Sequence, residues 1–291
     1  MKKFIKVLIG IILVCGMLFL YYSKNSLSEL FFGNSQKTTS VNKKTIKIRD
    51  GIRGVVQPNP FIVTEGEINR NLLENSNNNL VGQLIYTRKN ELPEAQQKLL
   101  ANNKDTTQYI LGYLTGERVP FEYGETAELE RKYPYYIQWD RRWAYDELGD
   151  IDVAIGGCGP TSVAMAIGGL LNDKTITPRK IAEIENKNGY FTSHGTSWNF
   201  FDFIAKEYGL KSNQVYLSKE NIDKVLKQGN PIIMSVKPGK FTTVGHIILV
   251  VAKDKDGNYI INDPNSYTRT LKTWSYNELK TEIVAMWKFS K

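Results

Sequence analysis

The stretch AIGGCGPTSVAMAIGGL, residues 154–170, holds one of the two cysteines in the chain. Cys158 stands between Gly157 and Gly159, just ahead of Pro160. Glycines lack a Cβ, so they leave the sulfur accessible and let another backbone come close. A proline suits the first turn of a helix, where its missing N–H would have had no acceptor. The thiol is therefore expected at a helix N-terminus, whose dipole favours negative charge, and the thiolate is the nucleophilic form. A thiolate nucleophile needs a base. The chain has two histidines to offer, His194 and His246.

His246 opens the apolar run HIILVVA, KDKDGN follows with turn chemistry, and YIIND returns. Strand, turn and strand predict a hairpin. A register that sets Val251 opposite Asn258 sets His246 opposite Asp263 and so puts a carboxylate beside the imidazole. In a nucleophilic triad the acid fixes the ring tautomer while the other ring nitrogen faces the nucleophile. His194, in GYFTSHGTSWNFF, has no acid within four residues and is expected to line a cleft or face solvent. Acyl chemistry at a thiol also needs donors for the developing oxyanion. The backbone N–H of Cys158 is one candidate, and the side chain of Gln138, in the aromatic-rich YPYYIQWDRRWAYDELG, is another. Asp140, Arg141, Arg142 and Trp143 in that stretch read as an ion-pair and packing corner. Local sequence leaves alternatives open: a small cysteine packed under a glycine turn, a strand-end histidine, a surface glutamine.

These groups need a scaffold. A helix is expected from Cys158 to about Leu171. A second opens at Thr177-Pro178, an N-cap followed by proline at the first helical position, and runs to about Lys187. Residues 189–197 read as a loop. WNFFDFIAKEYGL is an amphipathic helix stopped by Gly209, and a helix over about 219–228 ends at Gly229. Strands follow at 231–236, 246–252, 259–263 and 283–289, with a Ser275/Glu278 capping box starting a short helix before the last of them. Helices followed by an antiparallel sheet make an α+β arrangement.

The N-terminus has a different character. Lys2, Lys3 and Lys6 precede sixteen uncharged residues, Val7 to Tyr22. Residues 1–23 are expected to form a membrane anchor with the N-terminus in the cytoplasm, Tyr21 and Tyr22 at the far interface, and the rest of the chain outside the cell. The alternative is secretion after signal cleavage, but no small-x-small site follows the apolar run. Cys15 falls inside this segment, which leaves Cys158 as the single cysteine of the exported part. No internal disulfide and no zinc cluster are expected there. Residues 24–45, rich in Ser, Thr, Asn and Lys, read as a tether. Residues 46–132 hold short mixed segments, a strand-like TIKIRDGIRGVV and a helix-like ELPEAQQKLLAN among them. They form an N-terminal extension or accessory subdomain without chemical motifs of its own. The net charge of +8 is spread thinly and argues against a nucleic-acid partner.

Taken together, YYIQWDRRW, GCGPTSVAMAI, GTSW, GHIILVV and INDPNS resemble the stand-alone relatives of family 39 of the cysteine peptidases, in the papain-like clan. The best-known branch of that family trims double-glycine leaders from bacteriocins. The resemblance covers about 133–289 and implies a papain-like α+β fold over 133–291. It implies Cys158 as nucleophile, His246 as base, Asp263 as orienting acid and Gln138 as oxyanion donor; Gly157, His194 and Trp198 are expected to line the substrate cleft. It implies a peptide or protein substrate, with cell-wall peptide among the candidates, and no metal or organic cofactor. Peptide hydrolysis is the expected reaction. Acyl transfer or wall remodelling with the same groups, and a non-catalytic binding module, are the alternatives.

Overall fold

The computed structural model describes residues 46–47, 61–77, 79–116, 127–129 and 131–291. The expected anchor, the tether and most of TIKIRDGIRGVV lie outside the described residues. Within the described residues no helix is long and apolar enough to cross a membrane.

Residues 61–116 fold as four helices: α1 (Glu65–Ser76), α2 (Leu80–Thr87), α3 (Glu94–Asn102) and α4 (Thr107–Thr115). Two of them start on a side-chain cap. Thr64 and Glu67 form a capping box on α1, and Asn79 accepts from the N–H groups of Val81 and Gly82 on α2. Ile68, Leu72, Ile85, Leu100 and Ile110 are buried in the same apolar cluster as Ile137, Ala164, Phe200 and Leu249. Burying each Leu or Ile stabilises the fold by about 1.5–3 kcal/mol, so these helices are cemented to the rest of the molecule rather than hung from it.

After the short helix α5 (Val153–Gly156) comes α6 (Cys158–Leu171), and every residue from Gly159 to Leu170 is buried. A helix apolar on all faces belongs in a core. It packs against α7 (Pro178–Lys187) on one side and the sheet on the other. The expected Thr177 cap with proline at the first position is present. Helices α8 (Asn199–Glu207) and α9 (Lys219–Lys227) end at Gly209 and Gly229, whose φ values of +66° and +74° are the left-handed stop that glycine allows. The stretch expected to be a loop, 189–197, instead holds a small hairpin in which Phe191 pairs with Thr196 and Thr192 with Gly195. The left-handed Gly195 (φ +89°) permits the tight reversal.

The sheet has six antiparallel strands: β1 (Lys211–Gln214), β2 (Ile232–Val236), β3 (His246–Lys253), β4 (Tyr259–Asn262), β5 (Thr273–Trp274) and β6 (Ile283–Ser290). Their spatial order is β5-β4-β3-β2-β6-β1. The architecture is thus α+β, with helices first and an antiparallel sheet afterwards. Two short helices, α10 (Tyr267–Leu271) and α11 (Tyr276–Leu279), follow β4, and α11 carries the expected Ser275/Glu278 capping box.

The β3–β4 hairpin forms in a register other than the expected one. Tyr259 pairs with Lys253 and Ile260 with Ala252; after a bulge, Ile261 pairs with Val250 and Asn262 with Leu249. Asp254 causes the difference. Its Oδ1 accepts from the N–H groups of Asp256 and Asn258, and its own N–H donates to the Asn258 carbonyl, closing the turn tightly over 255–257 where the expected register left 252–257 unpaired. His246 and Asp263 therefore do not sit squarely opposite each other.

Candidate active site

Cys158 is the first residue of α6 and is half-buried. Its N–H belongs to the first turn, where the helix supplies no acceptor. The flanking glycines serve close packing. A Cβ on Gly157 would run into the Val153 carbonyl, and one on Gly159 would run into the Thr196 side chain. One turn after the cysteine, the buried Ser162 hydroxyl donates to the Ile247 carbonyl at 3.2 Å. That bond ties the start of α6 to the strand residue next to His246.

His246 is the first residue of β3 and pairs with Val236 of β2. Its Nε2 lies 2.9 Å from Oδ1 of Asp263, the residue just past the end of β4, so the acid reaches the ring on a diagonal across the hairpin. With Nε2 held by the carboxylate, Nδ1 is left for the thiol, and the Cys158 side chain is near enough to favour the charged ring. The structure thus brings His246 and Asp263 into a direct hydrogen bond, with the Cys158 side chain beside the same ring.

Asp263 is fully buried. A buried carboxylate is costly unless paired and hydrogen-bonded, and this one is held from several directions. Oδ2 takes the Arg269 guanidinium, Oδ1 also accepts from the Asn265 N–H at 2.8 Å, and its own N–H donates to Thr270 Oγ1 at 2.8 Å. Its carbonyl accepts from the Tyr135 hydroxyl at 3.0 Å. Burial opposes its ionisation, but Arg269 and then His246 outweigh it and hold the acid far below the usual carboxylate range. For His246, burial opposes the charged ring, while the Asp263 charge and hydrogen bond, with the Cys158 contact, raise it to about 9. The ring is therefore kept as imidazolium at neutral pH.

Gln138 is buried beside this group, and its N–H donates to the Pro264 carbonyl at 2.7 Å. Its side-chain nitrogen donates to the carbonyls of Ala154 (2.8 Å) and Ile155 (3.3 Å), while Oε1 has no hydrogen-bond partner among the described residues. The Asp140–Arg142 ion pair at 2.7 Å and the Arg142 guanidinium 4.3 Å over the Trp143 ring form the expected corner. His194 lies exposed at the tip of the 191–196 hairpin, with Nδ1 3.3 Å from the Ser193 hydroxyl. Trp198 is partly exposed, its ring 5.2 Å from that of Trp287. Among the described residues, neither His194 nor Trp198 has a hydrogen bond to the Cys158–His246–Asp263 chain. Gly157 is buried beneath the site.

Sequence reasoning missed two residues that build the site. Arg269 sits in α10, whose start is signalled by Ser266, the N-cap that accepts from the Arg269 N–H. Ser162 lies four residues after Cys158, one helical turn, and that spacing was its signal. Among the described residues no group of three or more His, Cys, Asp or Glu is placed to hold a metal ion.

No curated protein matches the chain. A family model, described as the Peptidase C39 like family, matches residues 130–291. That span begins just before the Gln138 segment and takes in α6, the hairpin of His246 and the Asp263 turn. The chain belongs to the Peptidase C39 like family.

Proposed function

We propose that this chain is a cysteine peptidase, held at the outer face of a cell membrane by its N-terminal apolar segment. Family membership suggests the reaction class. The observation that carries the reading is the hydrogen bond from the His246 ring to a fully buried Asp263, with the Cys158 side chain beside the same ring.

In this reading the Cys158 thiolate attacks the carbonyl carbon of a peptide or isopeptide bond, and the carbonyl π electrons move onto oxygen. The oxyanion accepts from the Cys158 backbone N–H and from one N–H of Gln138. The 3.3 Å contact to Ile155 is the weaker of the two that hold this amide, and it is the one the oxyanion replaces. The His246 imidazolium gives its proton to the departing nitrogen as the C–N bond breaks, leaving a thioester on Cys158. Water then gives a proton to His246 and attacks the thioester; the C–S bond breaks, and the acid leaves with thiolate restored. Asp263 keeps the ring oriented throughout and stabilises its charged form.

The test uses the full chain in detergent. Wild type, Cys158→Ala and His246→Ala are incubated with a peptide library, with cell-wall fragments and with iodoacetamide. Wild type is expected to release cleavage products and to alkylate rapidly at Cys158. His246→Ala should alkylate at least tenfold more slowly. Equal alkylation of wild type and His246→Ala, or products that persist in Cys158→Ala, would overturn the reading. Products in which a second amine replaces water would redirect it to acyl transfer.

A further inference from the structure

A cavity of about 510 Å³ lies between helix α3 and the elements that carry the candidate catalytic groups. Its size falls within the roughly 300–1,000 Å³ of ligand pockets. One wall comes from outside the family match: Ala95 and Leu99 on α3, and Phe61. The facing wall is Gln138, Ile155 and Val244, the last of these two residues before His246. The charged lining side chains among the described residues, Glu94 and Lys98, have opposite signs and stand one turn apart on α3.

Helix α3 presents two faces. Gln96, Leu100 and Ala101 are buried in the molecule, while Ala95, Lys98, Leu99 and Asn102 line the cavity. Asn102 pins the segment next to Phe61 by bonding both the N–H and the carbonyl of Ile62, at 2.9 and 2.8 Å. The wall is therefore fixed in place. Across from it Val244 is 62% exposed, a large apolar side chain with little to cover it. Gln138, 2% exposed, brings to the same wall an Oε1 with no partner among the described residues. A buried unpaired acceptor is costly, and a backbone N–H of a bound peptide would satisfy it when the amide turns.

We infer that this cavity is a substrate subsite that takes one bulky apolar side chain of a peptide, next to the bond attacked by Cys158, and that α3 supplies the side-chain selectivity. The inference rests on the peptidase reading above. The occupant is apolar because the larger share of the wall area is apolar, polar groups such as Thr242, Thr243 and Asn265 notwithstanding, and the two rim charges cancel. It is a peptide because the cavity is lined by Gln138 and by Val244, two residues before His246. A glycine at that position leaves the cavity unfilled.

The test is side-chain preference. Full-length wild type, Ala95→Trp and Leu99→Asp are incubated with a peptide mixture randomised at six positions, the products are sequenced by mass spectrometry, and iodoacetamide labelling of Cys158 is timed in parallel. Wild type is expected to favour Leu, Phe or Met over Gly at one position within three residues of the cut, by tenfold or more. Both variants should lose that preference while Cys158 labels at the wild-type rate. Ala95 is exposed, so Ala95→Trp fills the cavity without disturbing the core should Leu99→Asp fold poorly. Wild-type cleavage with no apolar preference, or a preference that survives Ala95→Trp, overturns the subsite alone. No cleavage, with labelling independent of His246, overturns the subsite and the peptidase reading together.

Discussion

Tyr109, on helix α4, donates its hydroxyl hydrogen to Asp152 Oδ2 at 2.6 Å, and Asp152 is the N-cap of the short helix that delivers Cys158. Gln96 of α3 reaches the same carboxylate oxygen at 3.4 Å, and Asn103 donates to the carbonyl of Asn265, two residues past Asp263. The N-terminal helices thus touch the approaches to both the thiol and the acid. A hydrogen bond to a charged group is worth about 1.5–3 kcal/mol. Tyr109→Phe should lower stability by that amount in urea unfolding, and slow Cys158 alkylation more than the stability loss explains. A fragment of residues 127–291 exposes the apolar surface that Leu72, Ile85 and Leu100 cover. It should bind a hydrophobic dye and fail to unfold cooperatively. A cooperative, dye-free fragment would refute the claim that the helices complete the core.

Arg269 decides whether Asp263 can stay charged. Removing one partner of a buried pair costs about 3–5 kcal/mol, because the other charge is left uncompensated. Arg269→Gln should therefore destabilise by that order at pH 7, read from urea unfolding. The folded-state acid lies below its unfolded value, so its contribution is present above about pH 4 and is lost as pH falls. The gap between wild type and Arg269→Gln should narrow from pH 5 towards pH 2. Adding Asp263→Asn to Arg269→Gln should restore part of the stability but none of the activity. A pure packing role for Arg269 would give a gap independent of pH.

His246 sets the alkaline side. With its ring raised to about 9, the imidazolium that protonates the leaving nitrogen is lost as pH climbs through that value. Cleavage efficiency, kcat/KM, should fall with a midpoint near pH 9. The stability that the charged ring contributes is complete below about 6.5, its unfolded value, and disappears as pH rises from there through about 9. Asp263→Asn removes the charge that raises the ring, so both midpoints should move down. A wild-type profile flat to pH 10 would rule out His246 as the titrating group.

Much of this arrangement was legible in the sequence where punctuation was strong. Thr177-Pro178, Gly209, Gly229 and the Ser275/Glu278 pair mark real helix ends because each satisfies a specific backbone need. The hairpin that joins His246 to Asp263 was legible from its apolar runs, but its register was not. The Asp254 side chain, bonding its own turn, tightened the loop, so that Lys253 rather than Val251 is the residue paired next to it. The meeting of His246 with Asp263 survived this shift because a long side chain can reach a diagonal neighbour. Helices α1 to α4 were the least legible. ELPEAQQKLLAN announced α3, but asparagines at 77 and 79 interrupt the stretch of α1 and α2, so no periodic run announces the others. The strand Lys211–Gln214 is an edge strand with one partner, β6, and a polar sequence without alternation. Arg269 could not be foreseen as a partner of Asp263, because the short helix bringing it back is too brief to show a period.

Glu185 offers a last check, on the packing beneath the cysteine. It is fully buried on α7 beside Thr196, whose side chain fills the space where Gly159 would carry a Cβ. Burial raises its carboxyl from 4.5 to about 8, so the folded protein keeps it protonated at neutral pH. A folded-state value above the unfolded one means that protons favour the native state: stability falls as pH rises from about 4.5 to about 8 and is level beyond. Every tenfold difference in proton affinity between the folded and unfolded chain corresponds to about 1.4 kcal/mol. Glu185→Gln keeps the shape and removes the titration. It should match wild type in thermal unfolding near pH 4 and be more stable by roughly 2–5 kcal/mol at pH 8. The alkaline midpoint near 9 set by His246 should remain in this variant, since Glu185 has no part in holding the ring. If that midpoint vanished with Glu185, the alkaline loss of activity would belong to ionisation under Gly159 and not to the imidazole.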